Sequence, residues 1–185
     1  MKLFGTKSPP LMGLDIGSSS IRLLQLSRHG NSYRIDHFAI ESLPPGVIVE
    51  KSVQDIEAIS GAIQSAVRNS GSSSKYCAVA VSGSAVFTKT ISLPSNLAEA
   101  DIESQVQIEA NQYIPYPLDE ISLDFEVLGP SARNADMVDI LLAASKNENV
   151  ESRQDALDSL GLKTTVVDVE SFAMANAFEL IRERE

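Results

Sequence analysis

A single cysteine, Cys77, occurs in the 185 residues, so no intrachain disulfide can form. It lies in Cys77-Ala78-Val79-Ala80-Val81, which reads as a buried strand. No basic neighbour is there to lower its pKa, so a packed thiol is the reading rather than a nucleophile. Histidine is as scarce: His29 and His37 lack metal-ligand spacing with Cys or acidic residues, which leaves both as structural or surface groups. No run reaches the ~18 apolar residues of a membrane span. The first ten residues carry Lys2 and Lys7 but no apolar stretch of a secretory signal. With Pro9 and Pro10, residues 1–10 read as a flexible lead-in, and the chain is expected in the cytoplasm. Base is short against acid: the net charge is −10. Nucleic acid and anionic lipid both need clustered Lys and Arg, so neither is an expected partner, whereas basic partner segments are compatible.

What is present is enough apolar residue, 43%, to bury a core. Met12 to Ile16, Ser20 to Leu26 and Tyr33 to Ile40 read as three strands in two consecutive hairpins. Ser52, with Asp55 three residues on, reads as the cap of a helix whose Val53, Ile56, Ile59, Ile63 and Val67 recur at helical spacing. Ser70 and Gly71 stop it, and the Cys77 strand follows. After Ser82-Gly83-Ser84 the pattern restarts. Val86 to Leu93 is strand-like. Asn96 and Glu99 open a helix with Ile102, Val106, Ala110 and Tyr113 on one face, ended by Pro115 and Pro117. Two more strands follow, around Ile121 to Val127 and Val138 to Ala144. A helix capped by Ser145 and Glu148 runs to Leu160, with Gly161 as its stop, and Leu162 to Val167 is a strand. Residues 86–167 thus read β-α-β-β-α-β, an insert-sized module. A last helix begins at Asp168-Val169-Glu170, with Met174, Ala177, Phe178 and Ile181 as its apolar stripe. The chain ends in Arg182-Glu183-Arg184-Glu185, still helix-compatible, and so reads as a fragment of a longer protein.

Three places carry candidate chemistry. In Leu14-Asp15-Ile16-Gly17-Ser18-Ser19-Ser20, a strand delivers Asp15 to a hairpin tip. Gly17 lets backbone approach an anion, and Ser18, Ser19 and Ser20 offer hydroxyls and N–H groups to phosphate oxygens. Asp15 suits Mg²⁺ held through water. The alternative is an ordinary turn, though joining two adjacent strands separates this loop from Walker and Rossmann loops. Asp168 and Glu170 sit where a strand feeds a helix, either to orient metal-bound water or simply as an acidic helix N-terminus. In Gln112-Tyr113-Ile114-Pro115-Tyr116-Pro117, two prolines and two tyrosines make either a peptide seat or a rigid helix stop with Tyr113 in the core.

Three blocks of the sequence resemble the PilM family of type IV pilus assembly. Gly13 to Leu24 looks like the first phosphate loop of the actin and Hsp70 superfamily. Gln112 to Ile121, followed by Leu123-Asp124-Phe125, is similar to a segment of PilM itself. Val167-Asp168-Val169-Glu170, before Ala173 and Asn176-Ala177, resembles the connection after the family's inserted subdomain. The resemblance implies an α/β, actin-like (ribonuclease H-like) fold. Subdomain 1A would comprise residues 11–84 and 168–185, and an inserted β-α-β-β-α-β subdomain 1C residues 85–167. It implies ATP and Mg²⁺ as ligands of the complete protein, near Asp15, Gly17, Ser18, Ser19, Ser20, Asp168 and Glu170. The subdomains that supply the adenosine pocket are not in this sequence, so this chain alone is expected to hold no nucleotide.

The implied partner is the N-terminal cytoplasmic peptide of PilN, within an inner-membrane platform of PilN and PilO. Tyr113, Pro115, Tyr116 and Pro117 would be the seat, in a groove between the subdomains. The protein would be cytoplasmic and peripheral to the inner membrane through its partners, with no direct membrane insertion. Self-association, ATP hydrolysis and a type II secretion role stay open. The alternatives are a small-molecule kinase and an FtsA-like filament tether. A small-molecule kinase of the same superfamily needs a substrate pocket set that the residues do not supply. An FtsA-like filament tether needs a basic apolar terminal helix, and this one ends in alternating Arg and Glu.

Overall fold

A computed structural model of the chain describes residues 10–30, 32–50 and 52–182. The expected flexible lead-in, residues 1–10, lies outside the described residues except for Pro10. The chain divides into two compact units: one runs up to Ala80 and resumes at Glu151, and the other is Val81–Val150.

The first unit is built on a sheet of five strands. β1 (Leu11–Ile16), β2 (Ser20–His29) and β3 (Ser32–Ser42) form an antiparallel meander. A short hairpin of β4 (Ile48–Val49) and β5 (Ser52–Val53) leads to α1 (Ile56–Ser70). Ser52 is therefore strand, and the cap of α1 is Asp55, whose Oδ1 accepts the Ala58 N–H at 2.9 Å. Gly71, at φ +69°, ends the helix in the left-handed conformation that glycine adopts without a Cβ clash. β6 (Tyr76–Val81) then pairs parallel to β1. The strand order is β10-β6-β1-β2-β3, where β10 is Lys163–Val169.

Strand alternation sorts the side chains. Met12, Leu14, Ile16, Ile21, Leu23, Cys77 and Val79 face a core filled by Ile59, Ile63 and Ala66 of α1. Cys77 is fully buried, and burial pushes its thiol up to about 11. The opposite face leaves Leu24, Ile35, Phe38 and Ile40 exposed.

The second unit has a three-stranded antiparallel sheet of order β7-β9-β8: β7 (Val86–Pro94), β8 (Ile121–Pro130) and β9 (Met137–Lys146). α2 (Glu99–Tyr113) covers one face, burying Val106 and Ala110 against Ile91, Ile140 and Leu142. No side chain caps α2: its cap residue is Ala98, not Asn96. The buried stripe of α2 continues at i+4 to Ile114, 6% exposed, and not to Tyr113, which is 44% exposed.

The expected β-α-β-β-α-β module of residues 86–167 is shorter in the structure. α3 (Asn147–Asp158) begins in the second unit but buries Ala156 and Leu157 in the first core. β10 pairs with β6; Val167 packs against the first core, and Val169, two residues on and so on the same strand face, is buried. Sequence pattern counts strands but does not say which sheet edge each one joins. Ser145, expected as the α3 cap, lies in β9, and its hydroxyl donates to the Ala85 carbonyl. α4 (Glu170–Arg182) closes the chain, with Met174 and Phe178 exposed rather than buried as a stripe.

The burial contrast makes a direct prediction. Ile63→Ala, at a fully buried site, should cost about 3 kcal/mol in chemical denaturation. Ile40→Ala, at 65% exposure, should change stability by less than about 0.5 kcal/mol.

Candidate functional site

The β1–β2 turn is tight because two backbone bonds close it. The Gly17 N–H donates to the Ser20 carbonyl at 3.0 Å, and the Leu43 N–H donates to the Ser19 carbonyl at 2.8 Å. A Cβ on Gly17 would stand 3.2 Å from the Ser20 carbonyl oxygen, so no side chain fits there without movement. Ser18 and Ser19 are exposed at the tip, whereas Ser20 is buried and lends the turn its carbonyl. Asp15 points to the face opposite the core. There Arg22, its cross-strand partner, donates from Nη1 to Asp15 Oδ2 at 2.6 Å. Arg22 was not singled out from sequence. Its alternation with the buried Ile21 and Leu23 is the signal that sets it beside Asp15.

Strand register brings Asp168 to the same place. Leu14 pairs with Val79 in the parallel β1–β6 ladder. On the other side of β6 lies β10, with the Lys163 N–H donating to the Lys75 carbonyl and the Thr165 hydroxyl to the Cys77 carbonyl. β1, β6 and β10 end at Ile16, Val81 and Val169, at the same end of the sheet. Val169 faces the core, so Asp168 and Asp15 lie on the opposite face, at the same end of the sheet. Two strand spacings separate them, about 10 Å. Asp168 Oδ1 accepts the Val169 N–H at 2.7 Å, and Glu170 follows as the first residue of α4.

The two carboxylates are hard oxygen donors with room for water between them, the donor set that Mg²⁺ takes with retained waters. No cluster of three metal-ligating groups exists among the described residues.

The tyrosine segment lies in the second unit. Ile114 anchors it: the side chain is buried and its N–H donates to the Ala110 carbonyl. Pro115 and Pro117 then hold an extended stretch that enters one 3-10 turn at Leu118–Glu120. Tyr113 and Tyr116 are 44% and 43% exposed. A lysine caps each ring: Lys89 Nζ is 4.8 Å from the Tyr113 centroid, and Lys146 Nζ is 4.9 Å from that of Tyr116. Residues 81–150 hold eleven carboxylates and three cations, Lys89, Arg133 and Lys146. Two of those three cations therefore sit on the two tyrosines. This segment is set on the second unit's sheet, while the Asp15 and Asp168 carboxylates belong to the first unit's sheet.

These features define a mixed α/β protein with an inserted small-sheet unit and paired carboxylates at one end of its main sheet. The family model described as type IV pilus assembly protein PilM matches residues 13–184, and the chain belongs to that family, with its actin-like fold. A chain of the solved PilM-PilN type IV pilus biogenesis complex is 30% identical, with a TM-score of 0.78 over 88% of this chain and 48% of that one. This chain thus spans about half the length of that relative. The cytoplasmic domain of EpsL, an inner-membrane component of the type II secretion system of Vibrio cholerae, shares the fold alone. Its TM-score is 0.52 at 12% identity, over 86% of this chain and 57% of that one.

Glycine substitutions separate the turn from an unconstrained position. Gly17→Ala should lower stability by about 1 kcal/mol and shift the Arg22 side-chain resonances. Gly61→Ala, inside α1 with open space around it, should raise stability by roughly 0.8 kcal/mol. Thermal and denaturant unfolding read both.

Proposed function

We propose that this chain is the partner-binding half of a pilus-assembly protein, taking the N-terminal cytoplasmic peptide of PilN and serving an inner-membrane platform of PilN and PilO from the cytoplasm. The observation that carries the reading is the 30% identity to a chain solved in a PilM-PilN complex, over 88% of this sequence. No helix among the described residues is long and apolar enough to cross a membrane, so attachment to the platform would run through partners. The seat is Tyr113, Pro115, Tyr116 and Pro117. Two half-exposed rings give rigid amphipathic area, and the prolines limit the entropy lost on binding. The acidic field of residues 81–150 favours a peptide with basic flanks, while Lys89 and Lys146 favour a carbonyl or carboxylate directly at the rings.

In the complete protein, Asp15, Gly17, Ser18, Ser19 and Asp168 would face ATP phosphates and Mg²⁺, with Ser20 shaping the turn from within. Bound magnesium would supply positive charge between the carboxylates and the phosphate oxygens. Arg22 holds Asp15 in place from the neighbouring strand and presents a guanidinium to the same face.

Fluorescence anisotropy with a labelled PilN N-terminal peptide tests the partner and the seat together. The chain should bind, and Tyr116→Ala, verified as folded, should weaken binding about thirty-fold, the equivalent of ~2 kcal/mol. Absence of binding by the parent chain would reject the partner. Unchanged binding by the variant would reject the seat.

Calorimetry tests the nucleotide reading. The chain alone should bind Mg-ATP weakly or not at all, because half a cleft leaves the adenine in water. In the complete protein, Asp15→Ala should weaken Mg-ATP binding, and unchanged affinity would remove Asp15 from the site.

A further inference from the structure

One nitrogen of Arg22 touches both the carboxylate and the loop. Its Nη1 lies 2.6 Å from Asp15 Oδ2, and a Cβ on Gly17 would stand 3.6 Å from the same nitrogen. The guanidinium thus lies against the glycine of the β1–β2 turn as well as against Asp15. β2 sets it there: Arg22 pairs with Asp15 on one side and Ile40 on the other, between the buried Ile21 and Leu23. The two side chains of the ion pair are 54% and 51% exposed, so solutes reach it.

This contact sets terms for any cation that approaches Asp15. Bare Mg²⁺ keeps most of its waters and brings only positive charge. It would have to share Asp15 with a guanidinium that is already at hydrogen-bond distance and does not lose its proton. Like charges at that range repel. A metal ion carried on a polyphosphate meets a different situation. Phosphate oxygens offer the guanidinium fork a second, bidentate acceptor, so Arg22 can turn from Asp15 without losing a partner. An ion pair this exposed is weak enough to be exchanged.

We propose that Arg22 is a specificity-determining residue: it keeps bare divalent cations off Asp15 and admits the metal as its polyphosphate complex, by passing from the carboxylate to the phosphate. The inference rests on the nucleotide reading of this site and adds what the site selects. One ion pair is exchanged for two, guanidinium with phosphate and carboxylate with the hydrated ion. Arg22 reads the charge of the polyphosphate and not the nucleoside, so a polyphosphate alone is a sufficient probe.

Nitrogen-15 NMR of the full chain tests this with Mn²⁺, a paramagnetic stand-in for Mg²⁺ that broadens the amide signals near its seat. Broadening registers a small bound fraction, so the adenosine pocket is not needed. With Mn²⁺ alone, the amides of Gly17, Ser18 and Val169 in wild type should broaden no sooner than those of Asp124 and Glu126, exposed acids of the second unit that serve as reference. Arg22→Gln should broaden the three at a Mn²⁺ concentration about five-fold lower than wild type requires. Arg22→Lys, which keeps the charge, should stay near wild type. Equimolar tripolyphosphate should bring selective broadening at the loop in wild type, and Arg22→Gln should lose that gain. Equal sensitivity of wild type and Arg22→Gln to Mn²⁺ alone would overturn the proposal and leave the magnesium seat standing. So would an undiminished tripolyphosphate effect in Arg22→Gln. No selective broadening in either protein, with or without tripolyphosphate, would reject the magnesium seat and the proposal with it. If Arg22→Gln fails to fold by circular dichroism, wild type decides: selective broadening by bare Mn²⁺ rejects the proposal, and broadening by the complex alone supports it.

Discussion

The two ladders of β6 govern the first unit. On one side β6 runs parallel to β1, and on the other it receives β10 after the chain has built an entire second unit. A slip of one residue in either ladder would turn every side chain of that strand to the opposite face. Met12, Leu14, Cys77, Val79, Val167 and Val169 would leave the core, and Asp15 or Asp168 would enter it. The apolar demand of the core therefore fixes the position of the carboxylates.

Much of this was legible in the sequence, for a physical reason in each case. The meander of β1, β2 and β3 follows from alternation interrupted by Gly17 and Gly30. α1 shows itself through Ile59 and Ile63 and the Gly71 stop. The errors have causes as definite. Ser52 looked like a cap because serine with an acid three residues on is the capping pattern, but Asp55 stands one residue before α1 and takes the bond. Tyr113 looked like core because i+3 and i+4 positions share a face, and Ile114 is the better-placed and more apolar of the two. β10 reads as part of the insert because its pairing partner, β6, lies more than eighty residues away, where local pattern carries no information. Arg22 and Arg153 carry no local sequence signal for the same reason. Each acquires meaning only from what the fold sets beside it, Asp15 in one case and the Ala80 carbonyl in the other.

Charge is distributed unevenly in a way that bulk composition conceals. Most of the net −10 belongs to residues 81–150, yet that segment sets two of its three cations on exposed tyrosine rings. Long-range attraction would draw a basic segment toward the unit, and short-range chemistry at the rings would align whatever carbonyl or carboxylate it carries.

The convergence of Asp15 and Asp168 is the point on which the nucleotide reading and the register argument both stand. Cysteines introduced singly and together at these two positions, with Cys77 left buried in the core, allow the distance to be read by a bifunctional maleimide with a reach of about 10 Å. The account predicts an intramolecular cross-link within the folded double variant, formed at dilutions where no cross-linked dimer appears. Complete modification of both cysteines without any cross-link would contradict it.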